Sequence, residues 1–360
     1  MMIALDPAAR AAIAAGAPIA FSLSGGKDSI AIASAAMRAL DGMGHPRNRR
    51  VAIHADLGRI DWPSTPATVE AGAASLGLPL IVVRRGAGDL VARWERRFEL
   101  GSERYAALAT YHLTGPWSSA ANRFCTSELK TQVILPELLR RYPGEQILSV
   151  VGIRREESLK RRGTPISKAE GKAFQRANGG RIVSWHPGVD WKLAEVWAEI
   201  AAHQLPVGES YALGSERYGC AFCVLASLND LTVAARSPGN RGLLFHLVDM
   251  EAKSTFSFQP DRWLGELARD YLPASLAADL RRGQNRAAER RAIEAALPAG
   301  LKYVAGWPQR MPTPAEAEAI VQGRAKILAM HNLETPYTSA ALVMDRFADL
   351  IAQRELKAAA

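Results

Sequence analysis

The sequence predicts an α/β fold: a parallel twisted sheet with helices on both faces, followed by a helical C-terminal region. Three observations carry that expectation. Short apolar runs alternate with helical periodicity through the first half of the chain, the pattern of strands joined by crossover helices. A glycine turn, Ser24-Gly25-Gly26-Lys27-Asp28-Ser29, separates the first apolar run from the first helical one. From about Leu225 onward the alternation gives way to helical patterns, punctuated by Pro238-Gly239, Pro260 and the proline-rich Trp307–Pro314. The expected division is therefore 1–224 for the sheet domain and 225–360 for the helical region.

The strand candidates are Ile19–Leu23, Val51–Ala55, Leu80–Val83, Gln146–Val151 and Arg181–Trp185. Each is short and apolar enough to be buried on both faces. Helices are expected between them. Ser29–Leu40 follows the glycine turn, and Pro66–Leu76 starts after Ser64-Thr65 and stops at Gly77. Glu128–Tyr142 places Leu129, Val133, Leu135, Leu138 and Leu139 on one broad face. Asp190 reads as the N-cap of Trp191–His203, with Leu193, Val196, Trp197 and Ile200 at helical spacing. In the C-terminal region Thr313-Pro314-Ala315-Glu316 reads as a capping box opening a helix to about Met330, and another helix should cover Ser339–Leu356.

Composition narrows the function classes. No run of about 18 apolar residues lacks a charge, so no membrane span is expected. Asp6 and Arg10 interrupt the N-terminal alanines, which is not the layout of a secretory signal, and a cytoplasmic protein is expected. Three cysteines exclude a disulfide framework. The formal net charge of +9 is uneven. Between Val151 and Arg181 nine lysines and arginines face only Glu156, Glu157 and Glu170, which points to polyanionic ligands: nucleotide phosphates, or nucleic acid.

The glycine turn is built for an anion. Gly25 and Gly26 let the backbone bring its N–H groups close to phosphate oxygens, and the helix beyond adds its positive dipole end. Lys27 supplies a mobile charge, and Ser24 and Ser29 supply hydroxyls. It is not the Walker loop, which is longer and ends in Gly-Lys-Ser/Thr. Two further elements follow strands, where open sheets bind ligands. In His54-Ala55-Asp56-Leu57-Gly58, Asp56 could contact Mg²⁺ through water or hold a ribose hydroxyl, whereas His54 reads as structural. In Gly152-Ile153-Arg154-Arg155-Glu156-Glu157-Ser158, the glycine clears space and the arginines could fork onto phosphate or sulfate oxygens. Cys220 and Cys223 form Cys-x-x-Cys, with Cys125 far away in sequence. Zinc, a redox pair and a [4Fe–4S] cluster held by three cysteines with one open iron are all readings of that set.

Taken in order, these elements resemble the phosphoadenylyl-sulfate reductase superfamily, whose glycine turn is the PP-loop of the N-type ATP pyrophosphatases. The resemblance also takes in Cys125-Thr126-Ser127-Glu128-Leu129-Lys130, Trp185-His186-Pro187 with Asp190-Trp191, and Tyr218-Gly219-Cys220-Ala221-Phe222-Cys223, over roughly residues 18 to 230. It implies an adenine nucleotide alpha-hydrolase-like fold, with Ser24, Gly25, Gly26, Lys27, Asp28 and Ser29 on pyrophosphate and Asp56, Gly152 and Arg154 beside the nucleotide. Lys27, Asp28, Lys130, Arg154 and Arg155 would be the catalytic residues, and Cys125, Cys220 and Cys223 the metal ligands. The cluster-bearing sulfonucleotide reductases that it resembles use adjacent cysteines at the first site, whereas here Phe124 precedes Cys125; the departure favours a three-cysteine cluster. No cysteine follows Cys223 in the sequence, where those reductases carry a nucleophile in a C-terminal tail, and the phosphate loop keeps the full ATP-pyrophosphatase form. The pattern is nearest to the sulfurtransferase component of DNA phosphorothioation systems. The resemblance thus implies an ATP- and Mg²⁺-dependent adenylylating sulfurtransferase, with a nucleic-acid acceptor and a sulfur donor such as a cysteine desulfurase. The competing expectations are sulfonucleotide reduction and a non-catalytic nucleotide- or nucleic-acid-binding partner.

Overall fold

The computed structural model describes residues 2–359. The chain divides into two compact units, Met1–Leu90 with Ala120–Asn240, and Val91–Ser119 with Arg241–Ala360. The first is the α/β unit. Its sheet has six strands: β1 (Ile19–Ser22), β2 (Arg50–Asp56), β3 (Leu80–Arg84), β4 (Gln146–Val150), β5 (Ser167–Ala169) and β6 (Arg181–Trp185), in the order β3-β2-β1-β4-β6-β5. All neighbours run parallel except β5, which is antiparallel to β6. The five expected strands are present to within about two residues at their ends; short, polar β5 was not foreseen.

β1 is central because its side chains tolerate burial on both faces: Ile19, Ala20 and Phe21 have no exposed surface. It pairs with β2 on one side and β4 on the other, so the strand order reverses there. Phe21 is in register with Ala52 and with Val150, which brings the carboxyl ends of the three strands to one edge. Helices α1 (Pro7–Ala14) and α2 (Lys27–Gly42) contribute Ala9, Ile13, Ile30, Ile32 and Leu40 to one core, and α3 (Thr65–Ser75) adds Val69. Gly188 is forced by that packing, since a Cβ there would stand 2.4 Å from the Ile32 side chain.

The first helix of the second unit, α4 (Leu90–Ala106), was not expected from the sequence. The boundary read after residue 224 therefore differs from the compact units: residues 91–119 join the C-terminal helices, because Tyr105, Leu108, Tyr111 and Leu113 pack with Leu301, Ile320, Ile327 and Phe347. Arg324, 3 % exposed, lies 3.9 Å over the Tyr105 ring and donates to the Thr110 carbonyl at 3.2 Å.

Two helix starts were misplaced. The segment read as one helix over Glu128–Tyr142 opens with a wide π turn at Ser127–Thr131 and becomes α-helical as α5 (Gln132–Arg141). The helix read from Trp191 is α6 (Leu193–His203); its N-cap is Lys192, whose N–H donates to Glu195 at 2.6 Å, while Asp190 instead takes Arg155 as its partner. In the α/β unit α7 (Leu228–Arg236) follows the cysteine turn. The second unit is completed by α8 (Arg241–Ser254), α9 (Ala274–Ala296), α10 (Pro314–Met330) and α11 (Ala340–Ala359), with the Thr313–Glu316 capping box as read.

Glu251 on α8 is fully buried and accepts N–H groups from Phe258 at 2.7 Å, Leu264 at 2.8 Å and Gly265 at 3.0 Å. Burial pushes its carboxyl from 4.5 up to about 8, against the pull of those three donors. Glu251→Ala strands three buried donors and should lower unfolding stability by about 3 kcal/mol, measured by urea melts at pH 6. In the unaltered protein the unfolded chain releases this proton before the folded one does. Its contribution is thus present below about 4.5 and lost progressively as pH rises toward about 8.

Candidate functional site: the phosphate loop and the cysteine wall

The loop between β1 and α2 begins where the sheet ends. Gly25 has φ +77°, a conformation that side chains other than glycine rarely adopt. Gly26 is the N-cap of α2 in an extended conformation and offers no side chain to the helix amides. The two serines close the loop: Ser29 Oγ donates to the Gly26 carbonyl at 2.8 Å and accepts the Ser24 N–H at 3.4 Å. Ser24, Gly26, Lys27, Asp28 and Ser29 line a cavity of about 450 Å³ that also has Lys130, Gly152 and all three cysteines on its walls. A neighbouring cavity of about 400 Å³ shares Ser24, Ser29, Lys130 and Gly152 and reaches along β2 and β4 past Ile53 and Ser149. Each is of ligand-site size.

The carboxyl end of β4 holds the loop in place. A Cβ on Gly152 would stand 2.8 Å from both the N and the Cα of Ser29, so backbone lies against backbone. Two residues on, Arg154 donates through Nε to Asp28 Oδ1 at 2.5 Å and through Nη1 to Glu156 at 2.7 Å, and its N–H donates to Glu157 at 3.0 Å. Its side chain is 5 % exposed and lines neither cavity, so it acts as a strut on Asp28. Burial works against the Arg154 charge, and Asp28 with the two glutamates outweighs it, leaving the pKa above its ordinary value.

Lys27 is more constrained than a mobile charge. It is 5 % exposed, donates through Nζ to the Glu216 carbonyl at 3.1 Å, and lies 3.5 Å from Asp28. Its ammonium stands 5.1 Å over the Tyr211 ring, and its backbone N–H donates to the Tyr211 hydroxyl at 3.1 Å.

Four expected residues do not line these cavities: Gly25, Arg154, and two that are paired elsewhere, Arg155 and Asp56. Arg155 turns away, donating to the Thr164 carbonyl at 2.9 Å and pairing with Asp190. Asp56 pairs with Arg84, accepts the Gly58 N–H at 2.7 Å, and lines a separate cavity with Arg59 and Glu70. His54 Nδ1 stands 2.8 Å from the Leu23 carbonyl, and the residue lines the second cavity. The second cavity has Asp61 on its wall instead of Asp56; Asp61 accepts the Leu57 N–H at 3.0 Å, and burial pushes its carboxyl up. Arg123 and Arg217 also line the loop's cavity and were not singled out. Asp61 sits five residues past Asp56 in the same turn, and that proximity was the available signal.

Cys125, Cys220 and Cys223 are free thiols lining one cavity, although Cys125 comes from a segment far from the other two. The Cys-x-x-Cys turn is tied to the turn after β2 by Ala221 N–H on the Ile60 carbonyl at 2.8 Å. Cys223 Sγ accepts the Leu225 N–H at 3.4 Å. Burial first, then the neighbouring sulfurs, pushes the Cys220 thiol up; burial also raises Cys223. Among the described residues no three His, Cys, Asp or Glu side chains converge closely enough to hold a single metal ion.

A parallel sheet whose glycine loop opens at the strand-order reversal defines a nucleotide-binding α/β domain. The model of the phosphoadenosine phosphosulfate reductase domain matches residues 18–226, and the chain belongs to that family. Among solved structures it is similar to the phosphoadenylyl-sulfate reductase of Candida auris in a phosphate complex, at 16% identity over 59% of this chain and 85% of that one, with a TM-score of 0.37. It is also similar to the FMN adenylyltransferase of Candida glabrata with FAD and pyrophosphate, at 16% identity and a TM-score of 0.32 over 56% of this chain; it spans about half (54%) of that enzyme. No curated protein matches the chain.

Gly152→Ala should lower stability by about 1–3 kcal/mol by forcing the loop off β4. It should also weaken binding of ATP at least tenfold, measured by titration calorimetry; unchanged affinity would show that the contact does not shape the site.

Proposed function

We propose that the chain is an adenylylating ATP pyrophosphatase that activates an acceptor for sulfur transfer, with nucleic acid as the acceptor. The reading rests on one observation: Ser24, Gly26, Lys27, Asp28 and Ser29 of the loop and the three cysteines line the same cavity. ATP would lie along the carboxyl edge of the sheet, with its β- and γ-phosphates on the loop amides and the Ser24 and Ser29 hydroxyls. Mg²⁺ would enter with the triphosphate, and Asp61 is the carboxylate on the adjoining wall suited to meet it through water.

In the first step an acceptor oxygen attacks the α-phosphorus. The bond from that phosphorus to the bridging oxygen breaks, and pyrophosphate leaves carrying the charge. The loop amides, Lys27 and the Lys130 ammonium stabilise that charge as it develops. Asp28 and Arg154 act by holding the loop. In the second step a sulfur nucleophile replaces the adenylylated oxygen, and AMP departs. The sulfur would come from a donor such as a cysteine desulfurase, whose persulfide sulfur reaches the sulfide level with two electrons from an external thiol reductant.

The cysteine wall fits a soft cofactor. Three thiols share one cavity, an amide already donates to Cys223 Sγ, and burial leaves Cys220 and Cys223 costly to ionise without a cation beside them. A [4Fe–4S] cluster on Cys125, Cys220 and Cys223 would supply one open iron for sulfur. A cluster is wider than a single ion, so its ligands stand further apart than those of a one-metal site. The basic side chains Arg123, Arg161 and Arg217 on the same cavity suit a polyanionic acceptor. The protein would act in the cytoplasm, where thiols stay reduced.

Family membership itself favours a second reading, reduction of a sulfonucleotide at the same cavity. The products separate the two. Under the first, the purified protein with ATP, Mg²⁺ and acceptor releases pyrophosphate, and Lys27→Ala reduces that rate about 100-fold or more. Release of sulfite from adenylyl sulfate, with no pyrophosphate from ATP, would replace the first reading by the second. Cys220→Ser should remove iron and acid-labile sulfide from anaerobically purified protein while leaving its circular dichroism unchanged.

A further inference from the structure

The segment from Gly208 to Tyr218 covers the phosphate loop by three separate contacts. The Gly208 N–H donates to the Gly25 carbonyl at 2.9 Å. The Tyr211 hydroxyl accepts the Lys27 N–H at 3.1 Å, and the Glu216 carbonyl accepts the Lys27 ammonium at 3.1 Å. The Tyr218 ring then fills the space over Gly25 and Gly208, where added Cβ atoms would stand 2.8 Å and 1.7 Å from it. Its hydroxyl is fixed to Thr65 Oγ1 at 2.7 Å.

Two of these contacts engage donors that an oxyanion on the loop would use: the first amide of α2 and the lysine ammonium. Oxygen atoms of the protein stand where phosphate oxygens would draw closest. The same segment runs without a break into Gly219 and Cys220, and Tyr218 and Cys220 both line the loop's cavity.

We propose that Gly208–Tyr218 is a strap that competes with a pyrophosphate group for the phosphate loop, so that anion binding displaces the strap and shifts the turn carrying Cys220 and Cys223. Tyr211 is a positioning residue: it acts on the anion through the Lys27 amide. The competition couples the two halves of the site, since whatever loosens the strap for the anion also frees the cysteine turn, and the coupling is reciprocal. The proposal rests on the loop being an anion site, as in the proposed function, and is indifferent to whether the reaction is adenylylation or reduction.

The test uses the full chain and inorganic pyrophosphate, with binding read by titration calorimetry and exchange read by hydrogen–deuterium mass spectrometry over residues 208–223. Pyrophosphate should speed amide exchange across that segment in the unaltered protein. Tyr211→Phe removes the competing acceptor and should bind pyrophosphate roughly fivefold more tightly, the worth of one neutral hydrogen bond. Slower exchange with pyrophosphate, or weaker binding by Tyr211→Phe, would make the tyrosines parts of the anion site and overturn the strap; unchanged binding by Tyr211→Phe would overturn it by showing that Tyr211 does not compete. Binding with unchanged exchange overturns the strap alone. Absence of any pyrophosphate binding overturns the strap and the proposed function together.

Discussion

The backbone of Gly152 lies directly against the first turn of α2, and the rest of the site depends on that contact. No side chain separates the end of β4 from Ser29, so the loop sits as close to the sheet as a chain can. β1 and β4 are neighbours only because the strand order reverses at β1. That reversal opens the crevice at the sheet's edge, and the missing Cβ decides how deep the loop lies in it. Arg154 then fixes the loop's orientation through Asp28 from a position the cavity does not reach. The interior electrostatics of the site are thus mostly structural: a buried arginine, two glutamates and an aspartate hold one another in place.

The charge left facing the cavity is different in kind. Lys130 comes from the π turn, Arg123 from the segment before it, Arg161 from the segment after β4 and Arg217 from the strap, and all four line the cavity that holds the loop and the cysteines. Positive charge on a partly enclosed wall raises the local concentration of a polyanion and steers it in. The three thiols line the same cavity, so under the proposed function the field that would gather the polyanion would also bring it to them.

Much of this was legible in the sequence, and the reasons are physical. The central strands are apolar on both faces, so their positions stand out as short uninterrupted runs. Gly25 and Gly26 mark a turn that other residues would strain. What the sequence concealed was direction and distance. Arg154 has an extended backbone and caps the tight turn that Arg155 opens; Arg154 pairs with Asp28 beneath the loop, whereas Arg155 pairs with Asp190. Asp56 was visible as a strand-end carboxylate, but Arg84 on the adjacent strand claims it and leaves the cavity to Asp61. The strap could not be read at all: Tyr211 and Tyr218 meet a loop nearly two hundred residues away in sequence. The departure of residues 91–119 to the helical unit was hidden for the same reason, since α4 is rich in charge and its apolar partners lie in the last third of the chain.

The most direct measurement is a crystal structure of the chain with Mg²⁺ and an ATP analogue that carries a methylene bridge between its α- and β-phosphorus atoms. The account predicts the β- and γ-phosphates within hydrogen-bond reach of the amides of Gly26 to Ser29, and the α-phosphorus facing the cavity that the cysteines line. Triphosphate density anywhere else, or a nucleotide whose α-phosphorus points away from Cys220, would contradict it.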